Sequence, residues 1–175
     1  AVSGRCHRVT VERDDQDVGQ LLRHYGKQAE EQLSVKVVEL ERTLPVNWGG
    51  ESPLGNLLAD SLREEVQSDM AIVNTGQLLE SLPPGKVTLR DIHRLCPSPI
   101  NPCSMSITGS RIRRALEESL LAEFQEKSIR GFGFRGERLG SLAVSGLEVE
   151  YNPHAPAYEK IADIRIGCAV MRNDE

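Results

Sequence analysis

The run Glu51-Ser-Pro-Leu-Gly-Asn-Leu-Leu-Ala-Asp60 is the most informative segment of this sequence, because it marks where a helix with a buried face begins. Ser52 is a residue type that caps the amino end of a helix, and Pro53 suits the first helical position, where no amide proton is needed. Leucine or valine then recurs at positions 54, 58, 62 and 66. This spacing predicts one apolar stripe that faces the core.

Two elements are predicted on the amino-terminal side of this helix. Residues 15–33 have apolar side chains at helical spacing with charges between them, which predicts an amphipathic helix. Residues 34–41 are rich in valine and predict a strand. A loop that contains Trp48 and two glycines joins this strand to Glu51.

Short strands and helices alternate on the carboxyl-terminal side. A strand is predicted over Asp69–Val73, and Thr88 and Asp91 have the spacing of a capping box before a short helix that ends at Leu95. Prolines at 97, 99 and 102 predict an irregular loop.

The remaining elements complete the fold class. A strand is predicted over 104–107, then a long helix that begins at Thr108, with a core face made by the following side chains: Ile112, Leu116, Leu120 and Phe124. Alternation predicts a strand around 147–151, and 161–166 is the last strand. The interleaved order predicts an α+β domain with a mixed sheet covered by helices.

Composition and charge exclude several classes of protein. With 175 residues, 39% of them hydrophobic and 27% charged, the chain has the composition of one globular unit, which we place at residues 8–175. A net charge of -5 argues against nucleic-acid binding, which depends on clustered cations. No stretch approaches the roughly 20 apolar residues of a membrane span, and no basic-then-apolar leader opens the chain. We therefore expect no membrane partner.

The cysteines do not have metal-site spacing. Cys6, Cys96, Cys103 and Cys168 include no Cys-x-x-Cys pair, which argues against a structural zinc site. Cys96 and Cys103 would be close enough in sequence for a short-loop disulfide in an exported protein. We favour four reduced thiols.

Five blocks, in order, resemble the carboxyl-terminal domain of 5'-nucleotidases. The run from Glu51 to Asp60 resembles that family's E-x-N-L-G-N-L-x-A-D signature. Four later blocks also follow the family pattern: Asp69–Asn74, Leu82–Asp91, Ile107–Glu117 and Val144–Pro153. The Pro-rich loop 96–103 and the stretch Arg130-Gly-Phe-Gly-Phe-Arg resemble a divergent bacterial branch of bifunctional metallophosphatase/5'-nucleotidase proteins, which belong to the UDP-sugar hydrolase family.

The resemblance implies one half of a two-domain hydrolase. In this family an amino-terminal metallophosphoesterase domain holds a divalent metal pair, and the carboxyl-terminal domain binds the nucleotide or nucleotide-sugar substrate. Residues 1–44 resemble the linker helix and first strand, and residues 45–175 resemble the substrate-recognition domain. The implied partner is the metallophosphoesterase domain of the same polypeptide. We expect no catalytic residue, metal ligand or cofactor in this chain and no activity from it alone. We expect a cytoplasmic location, with an extracytoplasmic one as the alternative.

The family's nucleotide clamp is not retained in its usual form. Its two base-stacking phenylalanines fall on Ser98 and Ser141, and one of its arginines falls on Leu79. A second arginine falls near Trp48, and only Asn74 matches. Loss of both aromatic walls predicts weak nucleoside binding in the family's usual pose, since stacking contributes roughly 1–3 kcal/mol per base.

A rebuilt site is the first hypothesis. Candidate substrate-binding residues supply aromatic area, guanidinium groups, side-chain amides or approachable backbone: Trp48, Asn74, Gly76, Ser98, Phe132, Phe134, Arg135 and Arg138, with Arg130 beside them. The competing interpretation is that the aromatics are core and the arginines lie in a solvated loop. The second functional hypothesis is a binding or scaffold module that has lost nucleotide recognition.

Two other motifs match known functional signatures only in part. Arg130-Gly-Phe-Gly-Phe134 begins like an RNA-recognition motif, but Arg135 and Glu137 replace the apolar and aromatic residues that this motif needs. Asp91-Ile-His93 has metal-site spacing but lies within a predicted helix without further ligands. We expect neither RNA binding nor a metal there.

Overall fold

The α+β class is confirmed. A computed structural model describes residues 15–99, 101–131, 134–167 and 169–172. In chain order the elements are α1 Gln16–Leu33, β1 Lys36–Leu40, α2 Pro53–Val66, β2 Ala71–Asn74, a 3-10 turn Thr75–Gln77, β3 Gly85–Thr88, α3 Leu89–Leu95, α4 Gly109–Ser119, α5 Ala122–Gln125, β4 Leu142–Ser145, β5 Glu148–Tyr151, β6 Ile161–Ile166 and β7 Ala169–Val170.

The strands form three small ladders, which corrects the expectation of one mixed sheet. Strand β1 pairs with β3, β2 with β4, and β5 with β6 and β7. Every one of these pairings between described strands is antiparallel. The reversal is local between β5 and β6, where Asn152 N–H donates to the Lys160 carbonyl at 2.8 Å and closes the connection. Short strands that turn back directly pair antiparallel, because a parallel pair needs a longer crossover.

Helix α2 begins as its sequence predicts. Ser52 Oγ accepts the Gly55 amide at 3.2 Å, and Pro53 is the first helical residue. Leu54 and Ala59 are buried, and Ala59 packs with Val73 of β2 and Ala143 of β4. The α2 helix therefore covers the β2–β4 ladder and fixes the position of the turn that follows β2.

The long helix predicted from Thr108 to Phe124 is broken. Helix α4 ends at Ser119, Leu121 is extended, and α5 starts at Ala122. Gln125 Nε2 donates to the Ser119 carbonyl at 2.9 Å. A side chain thus satisfies a carbonyl that a continuing helix would have bonded, so the chain can turn there. Ile112 and Leu116 still face the core as expected.

One predicted strand is absent. Residues 104–107 pair with no described strand, and Met105 is 75% exposed. The apolar side chains of this segment suit a strand, but within the described chain no neighbouring strand offers backbone groups for it to bond to. Strands β3, β4 and β7 were not predicted.

Helix α1 exists as predicted, but the described residues do not bury its apolar stripe. Its side chains at Val18, Leu21, Leu22 and Tyr25 are 53% to 69% exposed. An ion pair between Glu30 and Arg90 ties the helix to α3. None of the described helices is both long and apolar enough to span a bilayer.

The capping box of α3 predicts a pH effect on stability. Hydrogen bonds from the Thr88 hydroxyl and amide to the carboxylate lower the pKa of Asp91. A lowered folded-state pKa contributes stability above the unfolded pKa of roughly 3.9, and that stability is lost as the pH falls through the folded value. We expect Asp91→Asn to be less stable than the original chain at neutral pH, with a smaller difference in acid.

Urea unfolding between pH 3 and 7 measures this difference. Glu65→Gln is the control, because Glu65 is an exposed carboxylate of α2. A stability difference between Asp91→Asn and the original chain that does not shrink in acid would contradict the capping assignment.

Candidate functional site

The end of strand β2 is covered by a loop that we call the arginine loop, residues 134–141. Gly76 N–H donates to the Leu139 carbonyl at 3.0 Å, and Asn74 Nδ2 donates to the same oxygen at 3.1 Å. Both residues were expected to face substrate. The structure shows them holding the backbone of the loop that carries Arg138.

The turn and the loop are packed backbone to backbone. A Cβ at Gly76 would lie 1.9 Å from the Arg138 carbonyl oxygen, and a Cβ at Gly136 would lie 1.9 Å from the Gly76 carbonyl oxygen. Real Cβ atoms essentially never make contacts under 3.0 Å. Glycine is therefore required at both positions for this approach.

Trp48 is the half-buried aromatic of the site. Its indole N–H donates to the Leu78 carbonyl at 2.8 Å, and its own carbonyl accepts the Ser141 amide at 2.6 Å. The Arg138 guanidinium lies over the ring, 5.4 Å from its centroid. One hydrogen bond thus holds the indole ring and another holds the Trp48 backbone, while a cation covers one face of the ring.

The Pro-rich loop is tied to the start of the arginine loop. Ser98 Oγ accepts the Arg135 amide at 3.1 Å, so these two predicted site residues do meet. Phe134 is only 9% exposed and packs against Gly136, which leaves little ring area for stacking. Phe132 lies outside the described residues.

Ser141 and Leu79, which stand at two positions of the family clamp, make their contacts within the fold. Ser141 is 2% exposed, and its hydroxyl lies 3.4 Å from the Gly50 carbonyl. Leu79 is 37% exposed, and its amide donates to the Leu95 carbonyl at 2.9 Å. Both positions therefore have hydrogen-bond partners within the fold.

Two exposed arginines lie in the arginine loop, and a third lies shortly before it. Arg130, Arg135 and Arg138 are exposed and form no salt bridge with any described residue. This is a local positive region in a chain whose net charge is -5. Guanidinium groups in this state are suited to phosphate oxygens.

The described residues do not fit a metal pair. In the described ranges no three His, Cys, Asp or Glu side chains lie close enough together to hold an ion. The carboxylate of Asp91 is occupied by Thr88, and His93 is exposed on α3.

Three residues that position the loop were not identified from the sequence. Thr75, which is 1% exposed, donates its hydroxyl to the Ser141 carbonyl at 3.1 Å. The carbonyls of Gln125 and Lys127 accept the Gly140 and Leu139 amides, each at 2.9 Å. Backbone acceptors carry no side-chain signal, which is why sequence reasoning did not find the last two.

Comparison with known proteins agrees with this architecture. The model of the 5'-nucleotidase C-terminal domain family matches residues 29–175. An "Uncharacterized metallophosphoesterase YunD" of Bacillus subtilis is 40% identical over 124 residues, which cover 71% of this chain and 27% of that protein. An "Endonuclease YhcR" of the same organism is 28% identical over 133 residues, which cover 74% of this chain and 11% of that protein.

A solved structure shows the same fold. The crystal structure of a 5'-nucleotidase precursor from Thermus thermophilus superposes with a TM-score of 0.69 at 20% identity, over 93% of this chain and 32% of that one. The chain thus spans about a quarter or less of the length of these two Bacillus subtilis proteins. Its residues 29–175 fit the family model along most of the chain, and the chain belongs to the 5'-nucleotidase C-terminal domain family.

Proposed function

We propose that this chain is the substrate-binding domain of a two-domain, metal-dependent phosphohydrolase of the 5'-nucleotidase type, with a nucleotide or nucleotide sugar as substrate. The observation that carries the proposal is the stack of Arg138 on Trp48. The loop that supplies Arg138 also presents the exposed Arg135. One locus therefore offers an aromatic face for a base and guanidinium groups for phosphate.

The indole and the guanidinium groups of this locus bind different parts of the substrate. The indole face supplies stacking area for any base, worth roughly 1–3 kcal/mol per base. The Arg138 guanidinium presents several donors in one plane and binds phosphate oxygens bidentately. Asn74 and Gly76 act through the Leu139 carbonyl by fixing where Arg138 stands.

Hydrolysis takes place outside this chain under the proposal. A divalent metal pair on an amino-terminal domain of the same polypeptide lowers the pKa of the attacking water and binds the developing oxyanion. The residues of this chain bind and orient the substrate, and alone they catalyse nothing. A cytoplasmic location is part of the proposal, because Cys96 and Cys103 are free thiols, which a reducing compartment preserves.

A scaffold module is the second candidate. Ser98, Leu79 and Ser141 replace the residues of the family clamp, and the amides of Asn74 and Gly76 already have partners within the fold. A domain of this kind keeps its architecture and shows no response to nucleotides.

Fluorescence of Trp48, the one tryptophan of the sequence, distinguishes these candidates. We expect AMP or UDP-glucose to change its emission in a saturable way, because the base contacts the indole. A short single-stranded RNA is the competing ligand, since one relative is named an endonuclease. A response to RNA alone, or to none of the three, would contradict nucleotide recognition by this domain.

Removal of the guanidinium tests the phosphate contact. We expect Arg138→Ala to raise the Kd for the responding nucleotide about tenfold or more, since charge-assisted hydrogen bonds contribute roughly 1.5–3 kcal/mol. Arg111→Ala, which removes an exposed arginine of α4, is the matched control and should leave the Kd unchanged. Equal Kd values for the two variants would show that Arg138 does not contact the ligand.

A further inference from the structure

A cleft of about 340 Å³ opens between α4, β4, β5 and β6, and Ser141 is the one described residue of its lining that belongs to the arginine loop. Its apolar walls come from four parts of the fold, namely α4 with its carboxyl end, β4, β5 and β6: Leu116, Leu120, Leu142, Val144, Val149 and Ile161. Ser141, whose amide donates to the Trp48 carbonyl, is the point where the cleft adjoins the arginine loop. Neither Trp48 nor Arg138 lines it.

The polar groups of the cleft are acidic or neutral. Glu51, Asn56, Glu148 and Tyr151 line it, and no lysine, arginine or histidine does so among the described residues. Asn56 donates to Glu51 at 2.8 Å. The side chains of Glu148 and Tyr151 have no hydrogen-bond or ion-pair partner within the described chain.

We propose that this cleft is a second ligand site, for a small molecule with an apolar or aromatic body and a cationic amine head. Its volume lies at the lower end of the range of small-molecule pockets, and its walls are the aliphatic kind that such pockets use. An apolar body buried there removes partly exposed wall area from water. The ammonium group then lies beside Glu148, with the Tyr151 hydroxyl as an acceptor.

The cleft and the proposed nucleotide site differ in the charge of the side chains that surround them. A phosphate is repelled by Glu51 and Glu148, because no described lysine, arginine or histidine lines the cleft, whereas the arginine loop presents guanidinium groups without a described salt bridge. The two sites therefore select ligands of opposite charge, and the cleft proposal stands whether or not the domain binds nucleotides.

Amide NMR spectra of the 175-residue chain test the cleft with two probes of similar size and opposite charge. We expect phenethylamine to shift the resonances of β4, β5 and the end of α4 in a saturable manner, and 3-phenylpropanoate to shift them at least about fivefold more weakly, because of charge repulsion. Equal binding of the two probes, or no saturable shift with phenethylamine, would overturn the proposal.

A variant at the mouth tests the charge contact. Glu148→Gln should weaken phenethylamine binding about two- to fivefold, the range for an exposed ion pair. Glu150→Gln is the matched control, because Glu150 is an exposed carboxylate of the same strand that does not line the cleft. Both carboxylates are exposed, so the fold is retained. The same loss of affinity in both variants would show a general charge effect and overturn the assignment of Glu148.

Discussion

Glu117→Ala is expected to lower the free energy of unfolding by about 3–5 kcal/mol, the range for leaving the partners of a buried charged group unpaired. Glu117 is 4% exposed on α4. Its carboxylate accepts the Ile161 amide at 2.7 Å and the Lys160 amide at 3.0 Å. Ile161 is the first residue of β6 and Lys160 directly precedes it, so one side chain fastens the start of that strand to α4.

Two further variants separate this role from a general effect on the helix. Glu118→Ala removes the next carboxylate, which forms an i,i+4 pair with the exposed Arg114, and should cost only about 0.5 kcal/mol. Glu117→Gln keeps one acceptor oxygen and places an NH2 donor against the other backbone amide, so it should cost about 1–2 kcal/mol less than alanine, because one of the two amides keeps its partner.

Urea unfolding followed by circular dichroism measures all three variants. If Glu117→Ala and Glu118→Ala were equally stable, the two hydrogen bonds of Glu117 would contribute nothing measurable to the free energy of unfolding. The family pattern includes this glutamate within Ile107–Glu117, and the structure supplies the reason for its presence.

Local signals were sufficient where a short segment determines its own conformation. The start of α2 and the box at Thr88 and Asp91 were predicted correctly, because cap residues bond to amides three positions away. The end of α4 was not, since it depends on Gln125 reaching back to Ser119. The strand predicted over residues 104–107 is wrong, because its side chains suit a strand but no described strand lies beside it to pair with.

The sequence names candidate site residues, and the structure adds the contacts among them. Trp48 and Arg138 were both named from the sequence, yet their stacking depends on the fold. Asn74 and Gly76 were named for substrate contact, and their donors instead hold Leu139. Periodicity and motif spacing describe one element at a time, so they cannot show which loop covers which turn.

The close contact at Gly76 leads to the second large expected effect. Gly76→Ala would place a Cβ 1.9 Å from the Arg138 oxygen and 2.5 Å from the Leu139 oxygen. Both neighbours are backbone atoms, so no side chain can rotate away. The loop must move, and the bonds from Gly76 N–H and Asn74 Nδ2 to the Leu139 carbonyl are then lost.

We therefore expect Gly76→Ala to destabilise the domain by about 3 kcal/mol or more, from overpacking together with lost hydrogen bonds. Gly26→Ala is the matched control, because a Cβ at Gly26 in α1 meets nothing within 4 Å. Alanine there should be neutral or stabilise by about 0.5–1 kcal/mol, since glycine is unfavourable inside a helix.

Two readouts make the Gly76 prediction specific to the site. Urea unfolding gives the stability, and the emission of Trp48 without ligand reports whether Arg138 has left the indole ring. A displaced arginine loop changes both, because the loop that loses its anchor carries the stacked guanidinium. If Gly76→Ala had the stability and emission of the original chain, the turn and the loop would not be in contact, and Asn74 and Gly76 would be free to face a ligand.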